Sequence, residues 1–387
     1  MNLNERTTYV AAEFERRFDA PPELWSRAPG RVDLMGSHTD YNMGYVMTMT
    51  IDRDTWVAAR PRLDRHVAVH SLNLQGWGEF ALDAIGRDPA FRWTDYVRGV
   101  AHFLKEAGCP RTGFDGLVHS TVPMNSGLGS SAALELAVAV LFRAVSSFHM
   151  DPVSMAVLCQ RAENRFVGVN CGILDQYSSA MGQAGCAILL DCRHLTGRPV
   201  PIASGIQVVI CDTCAPRALG GTEYAERRAQ CEEGARLLAG VYPGVAYLRD
   251  VSMEQFEAQA QVLPDVVARR CRFIIEENTR VLELAEALPA GDAGRLRELC
   301  AASYAGARDL YEIGAAPMAA LMEAMMGAPG VIAARQAGAG FGGSMVALVE
   351  EERVGRFAQH VGRAYAESTG CRAAVYPVRP AAGAGLL

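Results

Sequence analysis

The sequence predicts an α+β fold, and three observations support this class. Segments with helical spacing of apolar residues are interspersed with short apolar or alternating segments typical of strands. The two kinds of segment do not alternate regularly, as they would in a doubly wound sheet. No dinucleotide fingerprint of spaced glycines follows the first predicted strand. At roughly 100–200 residues per domain, the 387-residue chain is expected to form two domains.

The individual elements follow from apolar periodicity and from the residues that end it. The first helix ends before Pro21 and Pro22, because proline cannot continue a helix. Helices are predicted over residues 6–18, 96–106, 132–146, 224–239, 271–287 and 317–326. Strands are predicted over residues 46–51, 55–59, 185–191, 207–211 and 344–350, the first two paired around Asp52-Arg53-Asp54. A polar stretch near residues 194–201 divides the chain into parts spanning residues 1–195 and 196–387.

The composition excludes several classes of function. The chain has 37 basic and 43 acidic residues and a net charge of −6, so a nucleic-acid or anionic-membrane partner is not expected. No apolar run reaches about 18 residues without a charge, the length that a membrane span needs. The first residues lack the pattern of a signal peptide. We therefore expect a cytoplasmic protein with reduced cysteines, and the sequence predicts no particular oligomeric state.

Lys105 is the only lysine in the chain. A Walker-type phosphate loop ends in Gly-Lys-Ser/Thr, and a protein kinase uses a strand lysine on the ATP phosphates. The surroundings of Lys105 fit neither motif. If the protein binds ATP, it does so without a phosphate-binding lysine.

The stretch from Ala28 to Asn42 combines one guanidinium, one imidazole and two carboxylates within ten residues, between glycines. Such a patch can hold a polyhydroxyl ligand, because carboxylates accept hydrogen bonds and arginine donates them in a fixed geometry. The alternative is a capped turn in which Asp40 and Asn42 bond to the backbone.

A second stretch, from Pro123 to Ala133, leads directly into an apolar helix. Its small residues let the backbone approach a ligand, and the N–H groups at a helix start can bind an anion. The serine hydroxyls at the helix entry can cap the helix, reach Mg²⁺, or do both. This run predicts a phosphate-binding loop made of Asn125, Ser126, Gly127, Leu128, Gly129, Ser130, Ser131 and Ala132.

Two further stretches carry weaker signals. Glu163 and Asp175 are carboxylates that can serve as a Mg²⁺ ligand, a base or an orienting group, but a solvated helix residue and a helix N-cap are equally consistent with the sequence. Residues 338–344 contain five small residues in seven, which suits close packing under another loop.

Together these stretches resemble galactokinases of the GHMP sugar and metabolite kinase superfamily. Residues 30–42 resemble the signature Gly-Arg-Val-Asn-Leu-Ile-Gly-Glu-His-Thr-Asp-Tyr-Asn, and residues 123–132 resemble the superfamily loop Pro-x-x-x-Gly-Leu-Gly-Ser-Ser-Ala. Residues 171–176 resemble the segment Cys-Gly-Ile-Met-Asp-Gln, and residues 223–233, 308–312 and 378–380 also match. The likeness runs in order from about Ala28 to Gly383.

The resemblance implies a two-lobed fold with sugar and MgATP meeting in the cleft between the lobes. Asp175 would be the base beside the anomeric hydroxyl, Arg31 would offset its charge and that of the phosphoryl group, and Trp93 would lie near the adenine. Mg²⁺ would be held by Ser130 or Ser131 with Glu163. The residues implied to line the sugar are Arg31, Ser37, His38, Asp40, Gly172, Asp175 and Tyr224.

Two polar positions depart from the signature. Ser37 replaces its glutamate, which in the family reaches the C6 hydroxyl of the sugar, and Asp33 replaces its asparagine. We expect galactose as the substrate, with galacturonate or L-arabinose as alternatives and a non-catalytic sugar and ATP sensor as a further one. Glutamate at position 37 is then expected to sharpen the preference for galactose.

Overall fold

The structure is a computed structural model that describes residues 2–124, 126–215 and 220–387. These ranges form twelve strands: β1 Leu24–Met35, β2 Tyr45–Pro61, β3 His66–Ser71, β4 Trp77–Ala81, β5 Phe114–Ser120, β6 Cys186–Asp191, β7 Thr196–Pro201, β8 Ile206–Asp212, β9 Val331–Gln336, β10 Ser344–Glu350, β11 Ala374–Val378 and β12 Gly385–Leu386. They also form eleven α-helices: α1 Leu3–Phe18, α2 Thr94–Glu106, α3 Ser130–Val145, α4 Pro152–Arg161, α5 Leu174–Met181, α6 Gly220–Ala239, α7 Met253–Gln259, α8 Asp265–Ala290, α9 Ala293–Asp309, α10 Ala316–Met326 and α11 Val354–Thr369. Ala162–Val167 is a π-helix.

The larger sheet has eight strands in the described residues, in the order β12-β1-β2-β5-β3-β4, with β6 on β2 and β7 on β6. The long strand β2 joins its two parts, pairing with β6 through Tyr45–Thr48 and with β5 through Thr55–Pro61. Helices α2, α3 and α4 cover this sheet and share an apolar core with it. The loop predicted to bind phosphate therefore leads into α3, a helix that packs on this sheet.

The smaller sheet has the order β11-β8-β10-β9, and its strands pair antiparallel. Helices α10 and α11 pack on it. Helices α8 and α9 share a second apolar core with both sheets, which includes Val32 of β1, Val281 of α8 and Val346 of β10. This common core fixes the two sheets against each other. The expected α+β class with mixed sheets and helices is confirmed.

The two strands predicted over residues 46–51 and 55–59 are wrong as a pair, because the chain continues through Asp52-Arg53-Asp54 as the single strand β2. The carboxylate of Asp54 accepts from Arg6 of α1 and from Arg27 of β1, and the Arg53 guanidinium lies over the Tyr376 ring at 5.1 Å. Distant partners thus hold a charged triplet in an extended conformation that would otherwise favour a turn.

The capped-turn alternative for residues 28–42 holds only after Met35, where the Asn42 amide donates to the His38 carbonyl at 2.9 Å. Residues up to Met35 form β1, and the turn comes afterwards, with His38 at φ +66° in the left-handed region. Arg31 and Asp33 are therefore fixed by a sheet, whereas His38 and Asp40 follow its end.

The division at residues 195 and 196 stays a prediction. Strand β7 pairs with β6 in the larger sheet, so a division after Pro201 keeps this hairpin whole. In the described part of the chain, no helix has the length and apolarity needed to cross a membrane.

Candidate active site

A cavity of about 550 Å³ opens where the two sheets and their helices meet. Its walls come from β1 and the turn after it, the loop before α5, the first turns of α6 and the loop between β9 and β10. All seven residues predicted to bind the sugar line it: Arg31, Ser37, His38, Asp40, Gly172, Asp175 and Tyr224. The fold thus gathers residues that are widely separated in sequence.

Arg31 of β1 and Asp175 in the first turn of α5 form an ion pair at the cavity wall. The Arg31 Nε donates to Asp175 Oδ1 at 2.9 Å, and Nη2 donates to the same oxygen. Burial lowers the pKa of Arg31, but Asp175 and Asp33 raise it by more, so the guanidinium stays charged. Because both hydrogen bonds go to Oδ1, Oδ2 remains to act on a ligand.

His38 is neutral and already bonded within the protein. Its Nε2 donates to the Ala339 carbonyl at 2.9 Å, so Nδ1 accepts from the Tyr41 hydroxyl, also at 2.9 Å. Burial lowers the pKa of His38 to about 4. Both ring nitrogens thus have partners within the protein, and the ring lies beside Tyr224, whose ring centroid is 5.3 Å away.

Asp40 lines the cavity and is repelled by the charges of neighbouring carboxylates. Burial raises its pKa to about 6, and the charges of Asp175 and Asp33 add to the effect. Gly172 makes room for it, since a Cβ at that position would overlap Asp40 Oδ2. Any side chain at position 172 would displace Asp40 from the cavity wall.

Ser37 is 2% exposed, and its hydroxyl donates to Asp33 Oδ2 at 2.9 Å. The Ser37 hydroxyl oxygen also accepts from Arg335 Nη2 of β9 at 2.9 Å. Asp33 Oδ1 in turn accepts from the backbone N–H of Gly338 at 2.8 Å. Position 37 is therefore part of a buried polar cluster that links the two sheets.

Charges within this cluster compensate each other. The Arg335 Nη1 lies 3.6 Å from Asp33 Oδ1, and its Nη2 lies 3.4 Å from Glu277 Oε1 of α8. All three side chains are 0% exposed. Glu277 also accepts from Arg280 Nε at 2.7 Å and from the Ser303 hydroxyl at 2.7 Å. Two carboxylates thus face two guanidinium groups, which is the condition for burying them.

The predicted phosphate loop ends at the N-terminus of α3. Gly127 and Gly129 have φ values of +70° and +72°, which glycine adopts without steric cost. Gly129 is the N-cap and supplies no side-chain hydrogen bond, so the first N–H groups of α3, on Ser130, Ser131 and Ala132, remain for an anion.

Other members of the loop take part through the backbone. The Leu128 carbonyl accepts from the Arg31 N–H at 2.9 Å, while the Leu128 side chain is buried in the core. The Ser126 carbonyl accepts from the Ser344 hydroxyl at 2.8 Å, so the glycine-rich segment 338–344 packs against this loop, as predicted. Asn125 lies outside the described residues.

A second cavity, of about 300 Å³, adjoins the start of α3. Ser130, Ser131 and the half-buried Trp93 line it, and in the described structure the buried Trp93 Nε1 has no hydrogen-bond partner. An indole ring whose N–H lacks a partner suits a planar ligand that can accept a hydrogen bond, such as a purine.

Glu163 lies between the two cavities. It sits in the π-helix Ala162–Val167, a distortion common at functional sites. Ser131 hydrogen-bonds to Glu163, and the Gln176 amide donates to its Oε2 at 2.6 Å. Burial raises the pKa of Glu163, and the charge of Asp175 adds to this. A divalent cation would relieve both effects.

The donor set fits Mg²⁺. This ion is usually bound through one or two carboxylates together with substrate phosphates and waters. No group of three or more His, Cys, Asp or Glu side chains in the described chain could hold a metal by itself. A hydroxyl and one carboxylate at the entry of a phosphate-binding helix match an ion that arrives with its nucleotide.

Several residues at the site were not singled out by the sequence analysis. Gln176 and Glu135 lie behind Glu163, and both are 0% exposed. Gln176 follows Asp175 in the segment 171–176, so its place in the sequence could have indicated that it lies at the site. Glu135 lies in an apolar helix and Arg335 in a short strand, and neither has a local pattern that marks it.

Comparisons with known proteins first define the class. Residues 95–183 match the GHMP kinases N-terminal domain and residues 284–367 match the GHMP kinases C-terminal domain. The fold is shared with a mevalonate kinase structure at a TM-score of 0.65 and 15% identity, over 92% of this chain and 99% of that one. The chain is therefore a GHMP kinase.

The particular family follows from closer matches. Residues 12–61 match the galactokinase galactose-binding signature. The chain is 44% identical to galactokinase of Chloroflexus aggregans over 97% of this chain and 96% of that protein, and 42% identical to that of Chloroflexus aurantiacus over 99% and 98%. Its structure matches Lactococcus lactis galactokinase complexed with galactose at a TM-score of 0.94 and 34% identity, covering 98% of this chain and 99% of that one. The chain belongs to the galactokinase family, as the resemblance implied.

Proposed function

We propose that the protein uses ATP to phosphorylate the anomeric hydroxyl of galactose, giving galactose 1-phosphate and ADP. One observation carries this proposal: the base, its cation and the phosphate loop are neighbours. A Cβ placed on Gly129 would lie 3.3 Å from Arg31 Cγ and 3.6 Å from Asp175 Oδ2. A hydroxyl beside Asp175 is thus next to the loop that would hold the transferring phosphate.

In the proposed reaction Asp175 Oδ2 accepts the proton of the C1 hydroxyl as its oxygen bonds to the γ-phosphorus of ATP. The bond from that phosphorus to the β,γ-bridging oxygen breaks, and ADP leaves. Arg31 stays paired with Oδ1, orients the carboxylate and offsets charge on the phosphoryl group. Phosphoryl transfer depends mainly on such positioning and charge neutralisation.

ATP would occupy the second cavity with its phosphates at the N-terminus of α3. Backbone N–H groups then replace the lysine of other nucleotide-binding loops, which agrees with a chain whose only lysine, Lys105, is on α2. Ser130 or Ser131 and Glu163 would hold Mg²⁺, which supplies neutralisation of the phosphate charge. Trp93 would contact the adenine.

The charge of the first cavity favours a neutral sugar. Its described lining carries four carboxylates, Asp33, Asp40, Glu163 and Asp175, and one guanidinium, Arg31. A hexuronate would add another negative charge to this set, which is why galacturonate is disfavoured. A sensor without activity is disfavoured as well, since Asp175, Arg31 and the loop residues Ser130 and Ser131 are all present.

The test is ADP release by the purified protein with MgATP and a panel of sugars. The panel contains galactose, 2-deoxygalactose, galacturonate, L-arabinose, glucose and N-acetylgalactosamine. We expect galactose to give the highest kcat/KM. A higher value for galacturonate or L-arabinose would contradict the assigned acceptor, and no ADP with any sugar would contradict the assignment as an enzyme.

The variant Asp175→Asn tests the proposed role of Asp175 as the base. The amide oxygen still accepts from Arg31, so galactose binding measured by calorimetry should persist. Loss of the base should lower kcat by about 10²–10⁴-fold. A rate near that of the unmodified protein would remove Asp175 from its role.

A further inference from the structure

A continuous series of buried hydrogen bonds lies behind the first cavity. The Cys231 thiol of α6 bonds to the Tyr311 hydroxyl at 3.1 Å, and this hydroxyl bonds to that of Tyr41 at 2.7 Å. The Tyr41 hydroxyl bonds to His38 Nδ1 at 2.9 Å, and His38 Nε2 bonds to the Ala339 carbonyl at 2.9 Å. Each of the four side chains is at most 9% exposed, so these groups depend on one another for their hydrogen bonds.

The direction of every bond in this series follows from its last member. A carbonyl can only accept, so His38 Nε2 carries the proton and Nδ1 of the neutral ring must accept. The single proton of the Tyr41 hydroxyl is therefore used on His38. Tyr41 must then accept from Tyr311, and Tyr311 from the Cys231 thiol. We call the side chains of Cys231, Tyr311, Tyr41 and His38 the relay.

The relay holds the turn that carries Asp40. His38 precedes Asp40 by two residues and Tyr41 follows it directly. The φ of His38 is +66°, a conformation that a residue other than glycine keeps only where its surroundings hold it. Asp40 lines the cavity. The position of its carboxylate thus depends on relay members on both sides of it.

The relay also reaches other walls of the cavity. Ala339, on which it ends, lies in the loop between β9 and β10 and lines the cavity. The rings of Tyr311 and Tyr224 lie 4.9 and 5.3 Å from the His38 ring, measured between centroids. Arg227 Nε of α6 donates to the Tyr311 carbonyl at 2.7 Å. The relay therefore joins the turn after β1, α6 and the β9–β10 loop around the place where the sugar is proposed to bind.

We propose that Tyr41 and Tyr311 are positioning residues for the sugar substrate, which act through His38. They fix its Nε2–H tautomer and so hold Asp40 and the Ala339 loop in the arrangement that binds galactose. Neither tyrosine lines the cavity, so neither is a contact of the substrate. This inference rests on the proposed function and adds to it two residues outside the sugar-binding set.

The first experiment measures kcat and both KM values in Tyr41→Phe and Tyr311→Phe. Each variant should raise KM for galactose by about fivefold, the factor for one neutral hydrogen bond, because the sugar is bound less well in the ground and transition states alike. The kcat and KM for ATP should change by less than about twofold, because Arg31 and Ser344 hold the phosphate loop by other bonds. An unchanged KM for galactose would overturn the inference.

The double variant tests whether the two hydroxyls act in series. The Tyr311 hydroxyl reaches His38 only through that of Tyr41. The KM for galactose in the double variant should therefore stay within about twofold of that in Tyr41→Phe. Hydroxyls that act separately would multiply their effects to about 25-fold, and this result would refute the relay.

Tyr365→Phe is the matched control. Tyr365 of α11 is 1% exposed, and its hydroxyl donates to the Thr213 carbonyl at 3.1 Å, away from the residues that line the cavity. This variant loses one buried hydrogen bond as well, so its thermal midpoint should fall while KM for galactose stays the same. An equal rise of that KM in the control would make the effect a general loss of stability and overturn the inference.

The tautomer of His38 can be measured in the unmodified protein. Proton–nitrogen correlation spectra of protein with ¹⁵N-labelled histidines should show the Nε2–H form, with the signal assigned by its nuclear Overhauser effects to the Tyr224 ring. Tyr41→Phe should shift the Nδ1 resonance, and Tyr365→Phe should not. An Nδ1–H tautomer would refute the relay while the proposed function stands, whereas a protein that releases no ADP with any sugar would refute the proposed function itself.

Discussion

Glu135 offers a test of how the region behind Glu163 is stabilised. It lies on α3, is 0% exposed, and accepts from the Gln176 amide through Oε2 at 3.1 Å. In the described structure its Oε1 has no partner. Burial raises the pKa of Glu135 well above its ordinary value, and the charge of Glu163 adds to the effect. The carboxyl group is therefore held neutral, and Glu135→Gln replaces it by a neutral group of the same shape.

The sign of the effect follows from proton binding. The folded protein retains the Glu135 proton at pH values where the unfolded chain loses it, so stability decreases as pH rises above the ordinary pKa of glutamate. Glutamine does not titrate and escapes this loss. Near pH 4 the variant should have the same free energy of unfolding as the unmodified protein. Above pH 4 its free energy of unfolding should become larger by up to about 1.4 kcal/mol per pH unit, until the folded-state pKa of Glu135 is reached.

Between pH 5 and pH 7 the unfolding free energy should shift in favour of the variant, by at most about 1.4 kcal/mol for each pH unit. At about 2 °C per kcal/mol for a large domain, the thermal midpoints should diverge by at most about 3 °C for each pH unit. Differential scanning fluorimetry of both proteins at several pH values measures this. Glu254→Gln, at an exposed position on α7, is the control for loss of a surface charge.

A midpoint difference that stays constant from pH 4 to pH 7 would refute the reasoning, because it would mean that Glu135 ionises alike in the folded and unfolded chains. A variant that is less stable than the unmodified protein at pH 7 would refute it too.

Two other predictions concern glycines. Gly172→Ala should lower kcat/KM for galactose by about a hundredfold, because its methyl group would push Asp40 from the cavity wall, while KM for ATP changes little. Steady-state kinetics with each substrate varied in turn checks this. Gly129→Ala should lower stability by about 1 kcal/mol, because φ at this residue is +72°, and should raise KM for ATP more than KM for galactose. Equal changes in both KM values would argue against the phosphate role of this loop.

Local patterns predicted much of the fold. Helices α1, α2, α3 and α10 begin and end within a few residues of the predicted bounds, because their apolar spacing and flanking residues are local. The sequence predicts two strands in place of β2, because the charged triplet Asp52-Arg53-Asp54 is typical of a turn. Arg6, which holds Asp54 in place, lies 48 residues away, and no window of the sequence contains both.

The candidate site shows the same limit. Arg31, His38 and Asp175 belong to recognisable motifs, and the structure brings them to one cavity. The hydrogen-bond partner of Ser37 could not be predicted from the sequence. Arg335 is 298 residues away, and no pattern near Arg335 marks it as the partner of a serine in the turn after β1. The substitution at position 37 and that at position 33 were visible separately, but only the folded chain shows that they touch.

The pairing of β12 with β1 has a consequence for the order in which the protein folds during synthesis. Leu386 and Gly385 pair with Ser26 and Arg27 of β1. Arg31 of the candidate site lies four residues after Arg27 on the same strand. The ribosome makes these partners at opposite ends of the described chain. The short edge strand β12 can therefore join the larger sheet only after the strands of the smaller sheet have been synthesised, whereas β1 can pair with β2 soon after both emerge.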